Sequence, residues 1–147
     1  MNSNEPLRKA VSASTPPIDK NVLVDTTIVV NHFRTTNESL KSHVAAGGTI
    51  FLPLTVLGEL YAGACRVARK EKALQQIEAF LLSSTLLLPD EGTAKTYGEI
   101  YAELALAGTP IPQNDMWIAA LAKEHGLPLA AQDAHFRQIK NLTVLSW

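Results

Sequence analysis

At 147 residues, with 46% hydrophobic and 18% charged side chains, the chain is long enough for one domain with a full core and too apolar to be disordered. Thirteen Lys and Arg against fourteen Asp and Glu leave a formal net charge of −1. Bulk charge therefore does not advertise nucleic-acid binding, and such a role needs a local basic face. The single cysteine, Cys65, excludes an internal disulfide. It falls in a helical apolar pattern and is expected to be a small buried hydrophobe in a reducing compartment. No apolar run approaches the eighteen or so residues of a membrane span, and the N-terminus lacks a signal-peptide core, so a cytoplasmic protein is expected.

Residues 1–20 (MNSNEPLRKAVSASTPPIDK) are polar, proline-bearing and aperiodic, and read as a flexible leader before a domain over 21–147. Asn21-Val22-Leu23-Val24 suits a buried central strand. It ends in Asp25-Thr26-Thr27, and a helix bearing Ile28, Val29, Val30 and Phe33 follows at once. Asp25 is then either the cap of that helix or an acid at the strand edge where open parallel sheets place their sites. A second short helix is expected over 38–46, stopped by Gly47-Gly48, and a second strand over 49–52, closed by Pro53. A longer helix is expected over 55–70, with Val56, Leu60, Ala64 and Val67 on one stripe. Glu59 is a lone acid among Leu57, Gly58, Leu60 and Tyr61. Arg66, Arg69, Lys70 and Lys72 form a basic cluster, either a solvated face or a surface that tracks phosphates.

An amphipathic helix over 73–83 and a strand over 86–88 come next. Asp90 caps a helix running to about residue 107, with Gly108 as its stop and Tyr97 and Tyr101 as core or interface residues. In the stretch TPIPQNDMWIAA (109–120), two prolines hold the approach extended and Asn114 is expected to cap the next helix. Asp115 then lies in the first turn of a helix that is apolar on most sides and ends at Gly126. A fourth strand over 127–131 leads to Asp133, followed by a helical turn over 134–139 and a last strand over 142–145. The alternation of strands and helices predicts a three-layer α/β/α domain with a mostly parallel sheet.

Four acids stand out: Asp25 and Asp133 at strand ends, Glu59 and Asp115 in early turns of buried helices. In a parallel sheet with right-handed crossovers, strand carboxyl ends and helix amino ends share one edge, so all four can converge. Two carboxylates about 4 Å apart repel by roughly 4 kcal/mol at an effective dielectric near 20. A hard divalent cation such as Mg²⁺ or Mn²⁺, bound through one or two carboxylates and water, relieves that repulsion and suits hydrolysis of a phosphodiester.

The motifs VLVDTT, PLTVLGEL, IPQNDMWIAA and QDAHF, in that order across Val22 to Trp147, resemble a PIN domain of the VapC toxin type. The resemblance implies a PIN-like fold and a Mg²⁺- or Mn²⁺-dependent endoribonuclease. It implies an RNA substrate such as tRNA or rRNA, a cognate antitoxin that holds the enzyme inactive, and a homodimer. Carried over by position, Asp25, Glu59, Asp115 and Asp133 form the catalytic and metal-binding quartet, with Asp25 and Asp115 as principal ligands. Thr26 supplies the hydroxyl after the first acid, and Thr26 and Asn114 are expected to support the acids or touch substrate. Ala131 departs from the pattern, since many relatives carry Thr or Ser two residues before the fourth acid.

Other classes fit less well. A phosphotransfer domain of the haloacid-dehalogenase type expects a second acid where Thr27 stands, and no glycine-rich loop follows the first strand for a nucleotide. His32, His43, His125 and His135 share no ligand spacing for zinc, and His135, beside Phe136, is expected to be a packed or surface residue rather than a general base. The alternative from a different class is a PIN-like binding module without useful catalysis. Keeping four mutually repelling acids argues against it.

Overall fold

Val22, Leu23 and Val24 are fully buried, because the strand they form has a neighbour on each side. In the computed structural model, which describes residues 20–147, this strand is β1 (Asn21–Val24). The leader expected over 1–20 lies, apart from Lys20, outside the described residues. β1 pairs in parallel with β2 (Thr49–Pro53) and with β4 (Leu129–Ala130). β3 (Thr85–Leu87) flanks β2 and β5 (Val144–Leu145) flanks β4, giving the order β3-β2-β1-β4-β5 with every pairing parallel.

Six helices connect these strands: α1 (Thr26–Arg34), α2 (Glu38–Ala45), α3 (Leu54–Ala64), α4 (Lys70–Leu82), α5 (Glu91–Ala107) and α6 (Gln113–His125). The chain steps outward from β1 to β3, then returns past β1 to β4. Right-handed crossovers therefore put α1–α4 over one face and α5 and α6 over the other. The reversal falls between β1 and β4, which is where an open α/β sheet leaves a crevice at its carboxyl edge. The register fixes what emerges there. Val24 lies opposite Ala130, and the Asp25 N–H donates to the Ala130 carbonyl at 3.0 Å.

The core is continuous through the sheet. Ile28 and Val29 of α1, Val56 of α3 and Ile118 to Ala122 of α6 have no exposed surface. In α6 the small residues Ala119, Ala120 and Ala122 let the helix lie close to its neighbours, and Trp117 stacks on Tyr97 of α5 at 4.2 Å between ring centres. Asp90 caps α5 as expected, in a reciprocal box: the Thr93 N–H donates to Asp90 Oδ1 at 3.1 Å and the Asp90 N–H to Thr93 Oγ1 at 3.0 Å. Gly108 and Gly126 end α5 and α6 in the left-handed conformation, at φ of 68° and 64°.

Three local expectations are corrected. The single helix over 55–70 is two helices. α3 ends at Ala64, closed by the Cys65 N–H on the Tyr61 carbonyl and the Arg66 N–H on the Gly63 carbonyl, and α4 begins at Lys70. Val67 therefore leaves the buried stripe and is half exposed, and Cys65, beyond the helix end, is exposed rather than a core residue. β3 lies one residue earlier than expected. As an edge strand with one covered face, it buries Leu87 and exposes Leu86 and Leu88.

Candidate active site

Asp25 stands at the N-cap position of α1, but its side chain makes no capping hydrogen bond, unlike that of Asp90. The residue is 5% exposed, and its carboxylate lies where the charges of Asp115, Glu59 and Asp133 act on it. Burial, the largest cause, and these three acids raise its pKa from 3.8 to about 6, against a lowering by the Thr26 N–H. The Asp25 side chain thus does not cap α1.

Glu59 projects from α3 and is half-buried. Burial raises its pKa, Asp115 adds to the rise, and the Thr26 hydroxyl opposes it. Thr26 and Glu59 nevertheless close no hydrogen bond of ordinary geometry: Thr26 Oγ1 and Glu59 Oε1 are both buried without a hydrogen-bond partner. Buried oxygens of this kind are costly to leave unmatched.

Asp115 is the third residue of α6 and half-buried. Burial raises its pKa most, and Asp133 raises it further, while a hydrogen bond from His135 and that residue's charge lower it. Asp133 is exposed. Its Oδ1 accepts the His135 N–H at 2.9 Å, an Asx turn that opens the 3₁₀ segment Ala134–Gln138. Ala131 is buried, with its N–H on the Leu145 carbonyl at 3.0 Å, so Asp133 is oriented by its own turn and not by a hydroxyl two residues earlier.

The structure brings Asp25, Glu59, Asp115, Asp133 and Thr26 to one edge. Asn114 is placed otherwise. The Pro112 carbonyl accepts the Met116 N–H at 3.2 Å, which starts α6 earlier, so Pro112 is the N-cap and Asn114 is an exposed residue of the first turn.

Two features were not expected. His135 sits among the acids, its Nδ1 3.2 Å from Asp115 Oδ2 and 3.0 Å from Asp133 Oδ1. Gln132 braces the loop that carries Asp133: it accepts from Asn31 of α1 and donates to the Trp147 carbonyl, each at 3.0 Å.

Beyond Glu59 a groove of about 510 Å³ opens between α1, α3 and α4, with Phe33 and Leu60 in its walls. Arg34, Arg69 and Lys72 also line it. Two members of the basic cluster thus give the acidic site a cationic neighbour that net charge does not reveal.

The residues fit a hard divalent cation. The donors are carboxylate and hydroxyl oxygens, two of them buried and unmatched, and three of the acids have pKa values raised by burial and mutual repulsion. One ligand atom each from Asp115, Asp133 and His135 lies within 4.8 Å of the others.

The PIN domain family matches residues 22–142. The chain is 32% identical over 127 residues to a protein named Ribonuclease VapC2 of Haemophilus influenzae, covering 85% of this chain and 96% of the relative. It is 31% identical over 101 residues to the tRNA(fMet)-specific endonuclease VapC of Shigella flexneri, covering 68% and 76%. Among solved structures, VapBC2 from Rickettsia felis, bound to a DNA fragment from its promoter, superposes with a TM-score of 0.80 at 26% identity, covering 86% of this chain and 98% of that one.

The raised pKa of Asp25 has a measurable consequence. The folded protein binds this proton at a higher pH than the unfolded chain, so the contribution of Asp25 to metal-free stability rises as pH falls from about 7 toward 4. A shift of about two units corresponds to roughly 3 kcal/mol at most. Asp25→Asn is therefore expected to stabilise the metal-free protein at pH 8 by roughly 1–3 kcal/mol and to flatten this pH dependence. Urea unfolding in chelator at pH 5 and pH 8 measures both, and a destabilised variant would mark Asp25 as a structural cap.

Proposed function

The chain belongs to the PIN-domain family and, within it, to the VapC ribonucleases, and from that premise we propose a Mg²⁺- or Mn²⁺-dependent endoribonuclease, the toxin of a toxin–antitoxin pair. Residues 21–147 form the catalytic domain in this reading. The observation that carries it is the convergence of Asp25, Glu59, Asp115 and Asp133 at the crevice between β1 and β4, three of them with raised pKa values.

Asp25 and Asp115 are the principal metal ligands in this mechanism, and Glu59 and Asp133 complete the site directly or through water. A divalent cation held there supplies Lewis-acid polarisation of the scissile phosphate and activation of the attacking water. The chain does the rest. Asp25, at the end of a buried strand, fixes the origin of the site. Thr26 Oγ1 and Glu59 Oε1, unmatched and side by side with the acids, are placed to hold the nucleophilic water, and the raised pKa of Glu59 suits it to take that water's proton. Arg34, Arg69 and Lys72 along the adjoining groove offer the cations that an RNA backbone needs. No covalent intermediate is required.

RNA as substrate is supported by the names of the relatives, and an antitoxin partner by the VapBC complexes among similar structures. No helix among the described residues is long and apolar enough to cross a membrane, and a cytoplasmic site of action follows from cellular RNA as the target. The binding-module alternative is not favoured, because Asp25, Glu59 and Asp115, with their raised pKa values, penalise the metal-free fold when ionised.

Labelled, partly structured RNA incubated with purified protein tests the activity. Cleavage is expected with Mn²⁺ or Mg²⁺, none with EDTA, and Asp25→Asn should lower the rate by roughly 10²-fold or more, the several kcal/mol of charge stabilisation at stake. Cutting that persists in EDTA or in the variant overturns the assignment.

We also propose a homodimer. Tyr101 and Leu106 of α5 and Leu82 of α4 are among the most exposed large apolar residues, Leu82 and Leu106 at 91% and 90%. Light scattering at micromolar concentration should return twice the chain mass, and a monomer mass would refute the pairing.

A further inference from the structure

The quartet accounts for the oxygen ligands, but it gives no role to the imidazole lodged between two of them. His135 Nδ1 lies 3.0 Å from Asp133 Oδ1 and 3.2 Å from Asp115 Oδ2. Neighbouring ligands of a six-coordinate ion with bonds of about 2.1 Å stand about 3 Å apart, so Nδ1 already keeps the spacing of a third ligand beside these two oxygens. We propose that His135 is a nitrogen ligand of the metal centre and makes this site prefer Mn²⁺ and other first-row transition ions to Mg²⁺. The inference rests on the metal-dependent reading above and deepens it.

Three observations favour a ligand over a bystander. First, the backbone that carries the ring is held in place. The His135 backbone N–H is fixed on Asp133 Oδ1 at 2.9 Å, and the next residue, Phe136, is fully buried and anchors the 3₁₀ segment in the core. The ring is thus presented to the acids from an anchored turn. Second, ionised carboxylates only accept hydrogen bonds, so Nδ1 faces them as an N–H donor while no cation is present. The ring is 41% exposed, and a neutral imidazole can carry its hydrogen on Nε2 instead, which frees the Nδ1 lone pair toward the acids. Third, the donor set has a chemical consequence. Imidazole nitrogen is a good ligand for transition ions and a poor one for Mg²⁺, which takes oxygen. A His with two Asp therefore discriminates where four carboxylates do so only weakly.

The test uses the full chain stripped of metal, with calorimetric titration of Mn²⁺ and of Mg²⁺, and the visible absorption of the Co²⁺-loaded protein. In His135→Ala the Mn²⁺ affinity should fall roughly tenfold or more, as loss of a metal-site partner typically does, while Mg²⁺ affinity changes by no more than about threefold. The Co²⁺ absorption bands should move. His135→Gln, which fills the space and offers an oxygen, should keep the Mg²⁺ affinity and lose the Mn²⁺ preference all the same. Mn²⁺ binding that is unchanged or tighter in both variants, or an equal loss for both ions, overturns the proposal and leaves His135 as a hydrogen-bond partner of the acids. If the wild-type chain binds neither ion, the metal-dependent reading itself falls. Thermal melts of both variants, expected to match the wild type, separate loss of a ligand from loss of the fold.

Discussion

The structure turns on a charge placed where the fold would rather have none. Asp25 ends the central strand of the sheet, 5% exposed, with three more acids acting on it and no capping bond to occupy its oxygens. A buried carboxylate without a cationic partner destabilises the state that contains it. The Thr26 N–H offsets part of this cost, and the neighbouring acids, which carry the same sign, add to it. A proton taken up at the raised pKa, or a cation bound among the acids, relieves that cost.

Topology explains why the acids meet. The outward walk from β1 to β3 and the return to β4 leave a crevice at the carboxyl edge beside β1. Asp25 leaves β1 there, Asp133 follows β4, and the second turn of α3 and the first turn of α6 bring Glu59 and Asp115 to the same edge. The hydrophobic packing of α6, buried along Ile118 to Ala122, holds Asp115 in place from behind. The same packing that stabilises the domain thus aims the charges at one another. A site built this way is preorganised, and its electrostatic strain is borne by the core.

Much of this was legible in the sequence, for reasons that can be named. An acid directly after a short apolar run, as in VLVD, can hardly be anywhere but a strand end, and an acid in the first turn of an all-apolar helix must lie at its mouth. Order and alternation then fixed the layers. What escaped were features decided by contacts distant in the chain. His135 meets Asp115 across twenty residues, and nothing in AHF reveals that the 3₁₀ turn swings its ring back to α6. The signal that was available is Asp133 two residues before it, a spacing that an Asx turn converts into a fixed direction. Asn114 misled because a good capping residue followed a proline, yet the Pro112 carbonyl began the helix first. The break between α3 and α4 carries no glycine or proline at residues 65–69, and it lets α4 pack back on α3.

The central claim is that these acids form a cation site whose occupation relieves strain in the fold. It is tested most directly by unfolding the metal-free protein at pH 8 across a series of Mn²⁺ concentrations. A site of this kind predicts stability that climbs with the logarithm of free Mn²⁺, by about 2.7 kcal/mol at one hundred times the dissociation constant, and no climb in Asp115→Asn. Stability indifferent to Mn²⁺ in the wild-type chain would contradict the account.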